Sequence, residues 1–201
     1  MNAGTAVHVI RHGRTALNAQ GRFRGLEDVP LDERGLAEAE AVARTLASRP
    51  IVAVAHSPLT RARQTAEPLS RRLGLVPEPD PRLIDLDLGV WTGLTAGEAA
   101  AIDPAAYRRY RVDPRSATPP EGEPLSEAER RIVHAVDFLG ERWRGAEVAV
   151  VSHELPIRLL LSGLMGLDRA RVWDIPLATG SVAALSGSPG SWRVVEEPRA
   201  P

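Results

Sequence analysis

The stretch Val7–Asn18, VHVIRHGRTALN, carries an apolar run directly into Arg11-His12-Gly13. A histidine at the end of a buried strand, with a cation before it and a glycine after it, is placed for chemistry. The neighbouring positive charge disfavours protonation of His12, so a neutral ring nitrogen is available near pH 7. Gly13 allows a sharp turn and the close approach of an anion. Taken alone, the same trio would also suit a strand-end histidine capped by a backbone carbonyl. A second histidine, His153, follows another apolar run, Glu147–Ser152. His153-Glu154 opens like the zinc-binding H-E-x-x-H pattern, but Ile157 stands where the second histidine belongs, so no metal site is expected.

Three further segments accompany these two. They are Gly21-Arg22-Phe23-Arg24-Gly25 with Pro30-Leu31, the run Ser57–Ala66 (SPLTRARQTA), and Leu83–Gly93 (LIDLDLGVWTG). In this order and spacing the chain resembles the histidine phosphatase superfamily, the phosphoglycerate-mutase-like enzymes, over about Val7 to Ser186. The resemblance implies that His12 is the nucleophile that takes a phosphoryl group and that His153 flanks it. It also implies that Arg11 and Arg61 clamp the phosphate and that Asn18 contacts it. Phosphoryl transfer needs such charge around three equatorial oxygens, with the nucleophile in line. Arg61 opens a helix whose free N–H groups also favour an anion.

The leaving alkoxide needs a proton, so a carboxylic acid must face the histidine. In the family this is a glutamate before the G-x-W-x-G segment, and Asp85 holds that position here. An aspartate retracts the carboxyl by roughly 1.5 Å, which costs about two orders of magnitude where the backbone does not compensate. Asp87 is a substitute two residues on, sharing a face with Asp85 if the segment is extended. The rival is Glu154, which replaces the glycine usual after the second histidine. A carboxylate near that place donates the proton in the acid-phosphatase branch. Glu154 would otherwise pair with Arg158, one helical turn along. Asp85 is the favoured donor. Arg24 replaces a pocket-lining glutamine of relatives and either adds a cation beside the leaving group or lies on the surface; Gly25 accompanies it as a substrate-side residue. Arg14, Arg63, His8, His56 and His134 read as structural or solvated, His56 in a loop and His134 within a helix.

The resemblance implies a hydrolase acting on a small phosphomonoester. A phosphomutase shares the first half-reaction, but the family's mutases are longer, with extra segments that shield the phosphohistidine from water. A non-catalytic phosphate-binding or interaction module is the third reading. No cofactor is implied. The composition narrows the remaining classes. All 25 basic residues are arginine, so lysine Schiff-base chemistry and a Walker-type lysine are excluded. There is no cysteine, hence neither disulfides nor thiolate chemistry. A formal charge of -1 offers no global field for nucleic acid or an anionic membrane. With no signal-like N-terminus and no run long enough to span a bilayer, the expected location is cytoplasmic. Oligomeric state stays open between monomer and homodimer.

These residues need a scaffold that brings Arg11-His12 and His153 together. Val7–Ile10, Ile51–Ala55, Glu147–Ser152 and Ser181–Ser186 read as strands, the first three nearly continuous in apolar residues as if covered on both faces. Trp192–Val195 reads as an edge strand and Pro198–Pro201 as frayed. Helical spacing marks Glu33–Ser48, Thr60–Leu73, Ser126–Trp143 and Leu155–Leu164. Alternation of the two predicts a three-layer α/β/α sandwich with a mostly parallel sheet. One domain spans residues 1–201, with a lid-like insertion around 95–124 whose Pro/Gly-rich part, Asp113–Pro124, covers the site.

Overall fold

A computed structural model describes residues 4–201. The first three residues, part of the N-terminal stretch read above as lacking a signal, lie outside the described residues. Six strands, β1 (Thr5–Arg11), β2 (Ile51–His56), β3 (Glu78–Pro79), β4 (Glu147–Ser152), β5 (Val182–Gly187) and β6 (Arg193–Arg199), form one sheet in the order β3-β2-β4-β1-β5-β6. The four strands from β3 to β1 run parallel, and β5 is antiparallel to both its neighbours. The sheet is thus mixed, with a single reversed strand.

Among the described residues seven α-helices accompany it: α1 (Ala16–Ala19), α2 (Glu33–Leu46), α3 (Thr60–Leu73), α4 (Ala96–Ile102), α5 (Pro104–Val112), α6 (Leu125–Arg142) and α7 (Glu154–Leu164). The alternation of side chains along β4 sorts them into two layers. Val148 and Val150 pack with Ile132, Val136, Ile157 and Leu160 of α6 and α7. Ala149 and Val151 pack with Val42, Leu46, Ala62 and Leu69 of α2 and α3. A strand buried on both faces has no polar side to show, which is why these runs are continuously apolar. Among the described residues no helix is long and apolar enough to cross a membrane.

A third apolar cluster sits above the sheet's carboxyl edge, where Trp91, Tyr110, Leu125, Leu155 and Val172 join α5 to the first turns of α6 and α7. The 95–124 segment divides into unlike parts. Helix α5 reaches the cavity described below, whereas 113–124 does not line it. That stretch instead packs under the Asp85–Trp91 segment: Val90 N–H donates to Pro120 O, Glu123 N–H to Asp87 O, and Gly122 lies against Gly89. The cover expected from Asp113–Pro124 comes from α5. The C-terminal end also differs from expectation, because Pro198 and Arg199 belong to β6 and Arg199 pairs with Val182.

Candidate active site

Parallel pairing of β1 with β4 sets the centre of the site. Arg11 lies opposite Ser152 in register, and the next backbone bond runs from His12 N–H to Ser152 O at 3.0 Å. The residues that follow the two strands therefore stand side by side, with the His12 and His153 rings 5.1 Å apart and both fully buried. The Nδ1 of His12 is 2.7 Å from Gly13 O. A carbonyl only accepts, so Nδ1 carries the proton and Nε2 keeps its lone pair. That Nε2 is buried without a hydrogen-bond partner, as are both ring nitrogens of His153.

Burial is the main cause that holds His12 well below its usual value, followed by the His153 ring and then by Arg61, Arg24 and Arg11. The neutral ring expected from Arg11 is thus secured chiefly by desolvation, with Arg11 a minor contributor. His153 is depressed in the same way, by burial first and by Arg61 next.

Arg61 reaches this centre from the second position of α3. It is fully buried and anchored through Nη1 to Glu27 O at 2.7 Å and through Nη2 to Gly25 O at 2.9 Å. Gly25 itself adopts a left-handed φ of 51°, and a Cβ there would meet Thr92 Oγ1 at 2.9 Å. Nη2 of Arg61 also donates to Asp85 Oδ2 at 2.9 Å, and the same oxygen lies 3.5 Å from His153 Nδ1. Asp85 is positioned by its backbone neighbours. Its Oδ1 accepts from Leu86 N–H at 2.9 Å, and Arg131 of α6 donates to the carbonyls of Arg82, Ile84 and Asp85. Asp87, the substitute considered above, caps Gly89 N–H at 2.9 Å in an irregular segment and shares no strand face with Asp85.

Beside this cluster opens a cavity of about 400 Å³, lined among others by Arg11, Asn18, Arg24, Gly25, Asp85 and Glu154, while His12, His153 and Arg61 lie fully buried behind that lining. Asn18 Oδ1 closes the capping box of α1, accepting from Thr15 N–H at 3.0 Å and Thr15 Oγ1–H at 2.9 Å. Arg24 is inside the cavity, not on the surface, with its side chain only 13% exposed. Glu154 sits at the start of α7 and meets Arg158 at 3.2 Å, as the helical spacing suggests. It also meets Arg11 at 2.6 Å, a contact that nothing in the local sequence announces. Burial lowers Arg11 to about 10 against the opposing pull of Glu154, so it is a cation throughout the neutral range.

Gly13 has another role than the one expected of it. Its N–H donates to Thr65 Oγ1 at 3.0 Å, and a Cβ there would lie 2.5 Å from Gly35 O. The glycine allows α2 to pack against the strand end, and it does not present its N–H to the cavity. The residues read as structural behave so: Arg14 pairs with Asp32, Arg63 with Glu67, His8 with Glu147, and His134 is exposed on α6. His56 is the buried last residue of β2, its Nδ1 2.7 Å from Ser57 O, and not a loop residue. Sequence reasoning passed over the far wall: Phe23, Tyr107, Tyr110, Arg111 and Trp173 all line the cavity. A capping box at Thr95 and Glu98, and Asp103-Pro104 at the start of α5, were the available signals for the helical pair whose second member delivers three of them. Among the described residues no group of three or more His, Cys, Asp or Glu side chains could hold a metal.

Known proteins share both the pattern and the shape. The chain is 42% identical over 158 residues to the bifunctional protein Rv2228c of Mycobacterium tuberculosis, covering 78% of this chain and 43% of that protein. The chain thus spans less than half the length of that relative. It is 35% identical over 187 residues to a probable phosphoglycerate mutase of Yersinia pestis, 92% of this chain and 86% of the other. Among solved structures, a mycobacterial glucosyl-3-phosphoglycerate phosphatase superposes with a TM-score of 0.85 at 31% identity, covering 96% of this chain and 97% of its own. The pattern of the histidine phosphatase superfamily (branch 1) matches residues 7–197. A match that begins in β1 and ends within β6 takes in every element that carries the site, and on it this chain belongs to the histidine phosphatase superfamily, branch 1.

Proposed function

We propose that the chain hydrolyses a small phosphomonoester through a phosphohistidine formed on His12. One observation carries this reading: a neutral, fully buried imidazole whose Nδ1 is tied to Gly13 O and whose unpartnered Nε2 stands among His153, Arg61 and Arg11. In the first step the Nε2 lone pair attacks phosphorus and the P–O bond to the leaving alcohol breaks in line. Asp85 gives its proton to the departing oxygen. Arg61, Arg11 and the Asn18 amide hold the three equatorial oxygens, where charge collects in the transition state. In the second step Asp85, now a carboxylate, takes a proton from water. The resulting hydroxide attacks phosphorus, the N–P bond breaks and its electron pair returns to Nε2. Asp85 is preferred over Glu154 as the donor because its Oδ2 lies within the histidine–Arg61 cluster, 3.5 Å from His153 Nδ1.

Hydrolysis is preferred to mutase transfer on the likeness to a solved phosphatase over 96% of this chain and 97% of that one. Incubation with a labelled phosphomonoester and rapid quenching should trap an acid-labile, alkali-stable phosphoenzyme, and His12→Ala should abolish both label and turnover. A His12→Ala protein that labels like the parent would overturn the nucleophile. Isomerised phosphoglycerate in place of released phosphate would move the chain to the mutases.

A further inference from the structure

We propose that Glu154 is the specificity-determining residue of this pocket, an internal anion that competes with the negative charge of the substrate for Arg11, Arg24 and Arg158. The inference rests on the phosphate site assigned above. Three guanidinium groups from separate parts of the chain converge on this one carboxylate. Arg11 Nη2 is 2.6 Å from Oε2, Arg158 Nη2 is 3.2 Å from Oε1, and Arg24 Nη2 is 3.8 Å from Oε2. The three arginine side chains are 8 to 13% exposed, while Glu154 is 30% exposed and borders the cavity that a ligand must enter.

The three cations are not equally committed. Arg158 also donates through Nη1 to the carbonyls of Val172, Trp173 and Ile175, and Arg11 to Leu177 O. Those bonds fix both groups as part of the wall. Arg24 has only a 3.4 Å bond to Arg22 O, a buried Nε without a partner, and its long contact with Glu154. It is the cation most available to an incoming anion. Arg11, the residue assigned to the phosphoryl oxygens, is also the one most tightly held by Glu154. A phosphoryl group therefore binds against the existing Arg11–Glu154 pair.

Glu154 offsets one of the three positive charges that converge on it and leaves a net excess of two within that group of four side chains. Each further negative charge on a ligand is repelled by the same carboxylate over a few ångströms of partly buried space, where Coulomb terms are several times their value in water. The residue thus limits how much anionic character a substrate can carry beyond its phosphate. Without it, Arg11 and Arg24 are buried cations short of a counter-charge, and a ligand anion becomes the group that neutralises them.

Titration calorimetry with inorganic phosphate tests this on the full chain, whether or not it turns an ester over. Glu154→Gln should bind phosphate about tenfold more tightly than the parent and should gain more in melting temperature when phosphate is added. The KM for 3-phosphoglycerate should fall more than that for glycerol 3-phosphate, since the two differ by a carboxylate in place of a hydroxymethyl group. Should Glu154→Gln fail to fold, Glu154→Asp retracts the carboxylate from Arg11 and should show a smaller gain in the same direction. Phosphate binding that is unchanged or weaker in a folded variant would overturn the proposal and leave Glu154 as a brace for Arg11. Absence of turnover with phosphate binding still sensitive to Glu154 would sink only the catalytic reading.

Discussion

His12 and His153 are held by paired backbone, whereas Glu154 is held by the side chains of Arg11, Arg158 and Arg24. The floor of the site is the carboxyl edge of two central parallel strands, where the bond from His12 N–H to Ser152 O fixes the spacing of the two rings. Even its non-local members, Arg61 and Asp85, are anchored to main-chain groups. The wall is made of long side chains brought from a loop, from α5 and from α7, with charges that balance incompletely. Backbone anchoring supplies the precision that a chemical step demands, where an ångström matters. Side-chain pairing leaves room for exchange, as selection among ligands requires. On the proposed roles, reaction type rests with the histidine cluster and specificity with the charged wall beside it.

Among the tests that separate floor from wall, the largest expected effect comes from the proposed proton donor. Asp85→Asn should lower kcat/KM for an alkyl phosphate by about 10²-fold, because a poor leaving group depends on protonation. Nitrophenyl phosphate, whose phenolate departs unaided, should be far less affected. Equal losses on both esters would remove Asp85 from the donor role, and the same leaving-group dependence appearing in Glu154→Gln would transfer that role to the wall.

The next test addresses the packing beneath the floor. Gly13→Ala places a methyl 2.5 Å from the main-chain oxygen of Gly35, a contact that no side-chain rotation relieves. A loss of about 1–3 kcal/mol in urea unfolding is expected. A variant as stable as the parent would show that α2 can shift away from the strand end, and that the floor is less rigid than its hydrogen bonds imply.

The smallest effect per residue is set by pH and belongs to the floor alone. His12 and His153 are both held well below 6.5, chiefly by burial, so the folded state keeps them neutral. The unfolded chain takes up protons on both below about pH 6.5 while the native state does not. Stability is then full above that pH and declines as the solution is acidified, by up to about 1.4 kcal/mol per pH unit for each histidine. Urea midpoints at pH 7.5 and 5.5 should show this fall, reduced in His12→Gln. A His12→Gln protein with undiminished acid sensitivity would place its origin elsewhere, in carboxylates such as Asp80 that are depressed by Arg82.

What the amino-acid sequence determined by itself is whatever short-range pattern encodes. Continuous apolar runs followed by Arg-His and by Ser-His placed both histidines at strand ends, because a strand buried on two faces must be apolar throughout. The i, i+4 spacing of Glu154 and Arg158 foretold their pairing. The helices of 95–124 were written in their caps, although the density of proline and glycine farther along drew attention to Asp113–Pro124. Only the tertiary structure decided the rest. That Gly13 serves the packing of Gly35 follows from how closely α2 approaches the end of β1. That Arg11 meets Glu154 follows from the register of β1 against β4. Contacts between residues far apart in the chain depend on how whole elements dock, and hydrophobic burial drives that docking without leaving a mark at the positions that end up touching.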